Sequence, residues 1–89
     1  MDKSIHTREY AVFLRLLRQV RKDRGVTQNR LAELLESTQT FVSKCERGER
    51  RLDVVELRQW CIALGMGFCD FAQQLHELTE KPRRRSRAG

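Results

Sequence analysis

Residues Ser37–Leu57 read STQTFVSKCERGERRLDVVEL. The stretch reads as a short helix, a Gly stop, a charged loop and the start of another helix. In the short helix the most regular helical stripe is polar: Thr40, Ser43, Lys44 and Arg47 follow one another at i, i+3, i+4 and i+7. Solvated helix faces of small domains more often carry Glu, Lys and Gln. Here the stripe begins with short hydroxyls, and Gln39 stands near its start.

Working outward, four more helices are expected. The first spans roughly residues 8–23, where Tyr10, Phe13, Leu14, Leu17 and Val20 form an apolar face. Arg15, Arg18, Arg21 and Lys22 are assigned to its opposite side, and Gly25 is a natural stop. The second begins at the N-cap Thr27, with Leu31, Leu34 and Leu35 inward and Ala32 small enough for a close helix crossing. The third runs over residues 39–47, capped by Thr38 and stopped by Gly48, with Phe41, Val42 and Cys45 on its apolar side. The fourth starts at Asp53 with Glu56 three residues on, a capping box, flanked by Leu52 and Leu57 as a hydrophobic staple. Trp60, Cys61 and Leu64 continue its apolar face to Gly65. The fifth spans residues 68–78, with Phe68, Phe71, Ala72, Leu75 and Leu78 apolar.

Two short helices joined by about three residues, the second polar outward, make a helix-turn-helix. The second helix of such a pair must enter a major groove about 12 Å wide and reach base edges. Long side chains along its face would hold it off, whereas hydroxyls and an amide allow close approach. Gln39 can make two hydrogen bonds to adenine, Thr40 and Ser43 can donate or accept, and Lys44 can reach guanine or a phosphate. A good paired contact is worth on the order of 1–3 kcal/mol of discrimination.

Three groups of residues, GVTQ with LAELL, then QTFVSKCERGER, then LDVVEL…ALG, resemble the phage-repressor/Cro-type helix-turn-helix family, also called XRE. The resemblance covers about residues 17–71. It implies an all-α, compact five-helix, lambda-repressor-like domain over residues 8–80, with the second and third helices as the DNA-reading pair. By position it implies that Gln39, Thr40, Ser43 and Lys44 face bases. Gln28, with Thr27 at the same helix start, would meet a phosphate. Phe41 would lie at the groove edge, although a core role is equally open for it. Arg47, Arg50 and Arg51 would lie near phosphates, which fix position while base contacts choose sequence. Two departures stand out. Glu36 and Ser37 occupy a turn where Gly and a small apolar residue are common, and Cys45 takes the place of a larger apolar residue.

The bulk composition agrees with one small helical domain. The chain has 89 residues, 39 % hydrophobic and 34 % charged, with five Gly and one Pro. The net charge is +6, unevenly placed: residues 8–51 carry +5, residues 52–80 carry −4 and residues 81–89 carry +5. That asymmetry points to a polyanion on one side. The last segment, KPRRRSRAG, has no apolar periodicity and strong self-repulsion, so it is expected to be a disordered basic tail. It could lie along phosphates, serve as an inert solubilising end or engage another partner.

Other classes find little support. Cys45, Cys61 and Cys69 contain no C-x₂-C pair and, with His76, match no zinc spacing, so no metal is expected. The thiols are most simply small buried hydrophobes, with nothing to mark a redox switch. His6 and His76 lack a neighbouring nucleophile, Asp53 and Glu56 are explained as a cap, and no Gly-rich phosphate loop is present. No enzyme activity and no cofactor are expected. With no apolar run of membrane length and no apolar segment near the start, a cytoplasmic protein is expected.

The wide apolar stripe of the fifth helix suggests a homodimer in which Phe68, Phe71, Leu75 and Leu78 meet a second copy. The sequence therefore points to a sequence-specific regulator of transcription on double-stranded DNA, expected to act as a repressor. Within that class, a phage repressor, an antitoxin, a restriction–modification controller and a host regulator remain open. The rival readings are a protein-interaction adaptor, or antitoxin-type partner-binding protein, on the same scaffold, and a nonspecific nucleic-acid binder working through the tail.

Overall fold

The computed structural model describes residues 3–80, with side chains from residue 7 onward. The basic segment 81–89 and its expected disorder lie outside the described residues. Five helices follow in order: α1 Lys3–Asp23, α2 Gln28–Leu34, α3 Gln39–Glu46, α4 Val54–Leu64 and α5 Phe68–Thr79. Among the described residues there is no strand. The architecture is the all-α five-helix fold expected from the sequence, although α1 begins five residues before the expected start at residue 8.

Helix starts follow capping chemistry. The hydroxyls of Thr27 and Thr38 accept from the backbone N–H of Arg30 and Phe41, at 3.0 and 3.1 Å. Asp53 accepts from the Glu56 N–H while Glu56 accepts from the Asp53 N–H, completing the capping box.

The ends of α1 to α4 follow one pattern. The Gly48 N–H donates to the Cys45 carbonyl and the Glu49 N–H to the Lys44 carbonyl, a Schellman motif. Gly48 has φ +81°, and a Cβ there would lie 3.0 Å from Leu14 Cδ1, so both backbone and packing demand Gly. The same pair of bonds closes α2, where the Glu36 and Ser37 N–H groups reach Glu33 and Ala32. Here the left-handed position is held by Glu36, with φ +57°, alone among the non-Gly residues described. The turn keeps its expected geometry, and Glu36 carries a backbone conformation that costs an L-residue roughly 1–2 kcal/mol.

The core sits where α1 packs on α5 and α3, and α4 on α2 and α5. Phe13, Leu16, Leu17 and Val20 of α1 meet Leu31, Ala32, Val42, Cys45, Trp60, Cys61, Leu64, Met66 and Phe71. The Phe13 and Phe71 rings meet edge to face at 5.9 Å.

Several expectations need correction. Leu34 is 41 % exposed rather than inward, because the buried face of α2 is centred on Leu31, Ala32 and Leu35 and Leu34 falls on its flank. Arg21 is not on the solvent side: it is 8 % exposed, on the Leu17–Val20 face. Cys45 and Cys61 are buried, but Cys69 is exposed. Phe71 is 1 % exposed within the single chain, since α5 needs it to close the core against Phe13, so it is not available to a second copy. Phe68 and Leu75 are half-buried against the core, and Leu78 is exposed.

Candidate nucleic-acid interface

The buried ion pair between Arg21 and Glu46 anchors the site. Glu46, the last residue of α3, is 1 % exposed. Its carboxylate accepts from Arg21 Nε at 2.7 Å and Arg21 Nη2 at 3.0 Å, a bidentate fork. A third bond arrives from Gln28 Nε2 at 2.9 Å. Arg21 Nη1 donates to the Val26 carbonyl, and Arg18 Nη1 donates to the Glu46 carbonyl. Among the described residues no buried side-chain polar atom lacks a partner, so the charge is fully satisfied. One cluster thus ties α1, the start of α2 and the end of α3.

From that anchor a chain of amides leads outward. Gln28 donates to Glu46 and accepts from Gln39 Nε2 at 2.7 Å. Gln39 is the first residue of α3 and is exposed. Its side chain is therefore held from behind, with one N–H and its Oε1 left outward. Gln28 lies half-buried at the first position of α2, and its side chain is occupied at both ends in the free protein. Any phosphate contact by its side chain must use the remaining N–H.

Beyond Gln39, Thr40 and Lys44 are exposed, and among the described residues neither side chain makes a hydrogen bond or ion pair. Ser43 is half-buried and its Oγ accepts from Arg47 Nη1. Phe41 is half-buried against the core with the Arg50 guanidinium 5.1 Å from its ring centroid, so it serves core and surface together.

The flanking arginines are less free than the sequence suggests. Arg47 forks onto Glu49 at 2.9 and 3.3 Å, and Arg50 onto Glu56 at 2.8 and 2.8 Å. The bonds from Arg50 and from the Asp53 N–H hold the Glu56 carboxyl down to about 2. The Arg47 fork likewise lowers Glu49. Arg51 lies over Tyr10, 4.2 Å from the ring centroid, and Tyr10 Oη accepts from the Leu52 N–H at 3.3 Å. Burial pushes the Cys45 and Cys61 thiols up, away from reactivity. Among the described residues no group of three or more metal-ligating side chains converges, and no helix is long and apolar enough to cross a membrane.

Sequence reasoning found the exposed stripe but missed its support. Glu46 was not singled out, and Arg21 was assigned to the wrong side. A signal existed: Arg21 follows Leu17 at i+4, and Glu46 follows Val42 at i+4, so opposite charges fall on two apolar faces.

The geometry defines a helix-turn-helix protein whose second helix presents a supported polar face. A family model described as a helix-turn-helix domain matches residues 12–73. Among solved structures, an XRE-family like protein from Pseudomonas syringae pv. tomato str. DC3000 is 40 % identical, with a TM-score of 0.81, over 86 % of this chain and 94 % of that one. Among curated proteins, none matches the sequence. The chain belongs to the XRE-type helix-turn-helix family, and with it to the DNA-binding regulators in the general sense.

Proposed function

We propose that the chain is a sequence-specific regulator of transcription, acting as a repressor, that inserts α3 into the major groove of double-stranded DNA. The observation that carries this reading is the line of hydrogen bonds from the buried Arg21–Glu46 pair through Gln28 to Gln39. The Gln39 groups left outward, one N–H and Oε1, are those that pair with adenine N7 and N6. Thr40 and Lys44 stand beside it unengaged, and Ser43 keeps its hydroxyl proton to give. Thr27 and Gln28 at the start of α2, Phe41 at the groove edge, and Arg50 and Arg51 supply the phosphate side of the contact, which fixes register.

Repression needs no further surface, since occupancy of a promoter groove excludes other proteins. A homodimer completes the reading, with Phe68, Leu75 and Leu78 remaining for the contact and the operator near-palindromic. The same proposal sets the protein in the cytoplasm. A partner-binding role is the second reading, favoured by Val54, Val55 and Ile62, which leave the outer face of α4 apolar and exposed.

The test is titration of wild-type, Gln39→Ala and Lys44→Ala chains against a preferred duplex and a random one. Each substitution is expected to weaken the preferred site by about 1–3 kcal/mol, with Gln39→Ala leaving the random duplex nearly unchanged. Equal losses on both duplexes would remove the base-reading role. Unchanged binding of a protein partner by both variants is the result the second reading expects.

A further inference from the structure

The loop after α3 places a carboxylate against the Arg47 guanidinium. Arg47 donates through Nε and Nη2 to Glu49, a bidentate fork of the kind guanidinium groups make with phosphate. Its remaining side points back to α3, where Nη1 donates to Ser43 Oγ. The guanidinium is thus spanned between the Ser43 hydroxyl and a surface carboxylate, with three of its five N–H groups engaged, and a fork onto phosphate through Nε and Nη2 requires release of Glu49. Glu49 itself is exposed, caps no helix and serves no core contact. Its structural neighbour in role, Glu56, also closes a capping box, so the two carboxylates are not equivalent.

We propose that Glu49 is a specificity-determining residue of the DNA-reading face, holding Arg47 off the phosphates and onto Ser43. This rests on the reading of α3 as the DNA-binding helix. Affinity for arbitrary DNA comes almost wholly from cations that neutralise phosphates. A carboxylate that competes for one of those cations lowers that affinity. Base contacts through Gln39 and Thr40 are untouched by it, and Lys44 feels it only through space, as the smallest of the influences on Glu49. A glutamate carboxyl is ionised at neutral pH in any case and the Arg47 fork lowers Glu49 further, so the competition is always present. Ser43 gains a fixed sense: its oxygen accepts from Arg47 and its proton is left to donate to a base edge.

The test uses the full 89-residue chain and a random-sequence duplex, titrated across a salt series beside a preferred duplex whose lead over the random one Glu49→Gln should narrow. Glu49→Gln is expected to raise affinity about three- to tenfold, as loss of a surface ion pair and gain of a phosphate contact allow. The salt slope should steepen by about 0.9, the signature of one more neutralised phosphate. In an Arg47→Met background the same substitution should leave the slope unchanged. Unchanged affinity and slope in Glu49→Gln would overturn the assignment, and so would an equal change in both backgrounds, which would reduce Glu49 to a general negative charge. A wild-type chain that prefers no sequence at all would instead count against α3 as a reader, while the slope comparison would still report on Glu49.

Discussion

Removing one partner of the Arg21–Glu46 pair should unfold much of the protein's margin of stability. Glu46→Met deletes a carboxylate that accepts three hydrogen bonds and leaves the Arg21 guanidinium buried with only the Val26 carbonyl. Breaking a buried pair from one side costs roughly 3–5 kcal/mol. A domain of this size has about 5–10 kcal/mol in total, so the variant should sit near the edge of folding. Arg21→Met should cost a similar amount for the mirrored reason. The double variant Arg21→Met/Glu46→Met removes both charges and fills the space with apolar side chains, so it should recover most of the loss. The Gln28 amide and the Val26 carbonyl then each stay short of a partner, at about 1 kcal/mol apiece. The coupling between the two sites, the two single losses less the double, should therefore be about 4–8 kcal/mol. Urea unfolding followed by the fluorescence of Trp60, buried and the sole tryptophan, reads all four chains. Additive losses in the double variant, or a Glu46→Met loss below about 1 kcal/mol, would refute the view that this pair anchors the site.

Glu36→Gly should stabilise the chain by about 1 kcal/mol, since it relieves a left-handed backbone and removes a negative charge beside the C-terminal end of α2; a thermal melt should rise by about 4–8 °C per kcal/mol, and a fall would mean the turn is not strained. Because the Glu56 carboxyl is held near 2 in the folded chain against an ordinary value of 4.5, its contribution is complete above about 4.5 and disappears as pH falls toward 2. An acid titration of stability in that window should be shallower for Glu56→Gln than for wild type, and parallel curves would remove the Arg50 fork as the cause. Thr38→Ala should cost about 1 kcal/mol by losing the cap of α3, and its circular dichroism melt should show it.

Much of this fold was legible because helix boundaries have local chemistry. Thr27, Thr38 and the Asp53–Glu56 box announced three starts, while Gly25, Gly48 and Gly65 announced three ends. The start of α1 was not legible: its first turn carries no acidic residue, and the apolar stripe begins only at Tyr10. The polar stripe of α3 was legible because hydroxyl groups at helical spacing are unusual on a solvated face. The Arg21–Glu46 pair was not, because periodicity sorts charged residues outward and only the third dimension shows two opposite charges meeting in the core. The same limit applies to Phe71, whose apolar spacing suits a dimer face and a core equally until α1 is packed against it. Arg47 and Arg50 looked like free phosphate contacts because their partners, Glu49 and Glu56, are brought to them by the loop rather than by helical spacing.

The central claim is that α3 reads sequence through Gln39, held by Gln28. The most direct measurement is selection of binding sites from a random duplex library at near-physiological salt, with the wild-type chain and with Gln39→Ala. The account predicts a two-fold symmetric motif for wild type, with an A·T pair at one position of each half-site whose preference alone is lost in Gln39→Ala. Recovery of no motif, or of one identical in both chains, would contradict it.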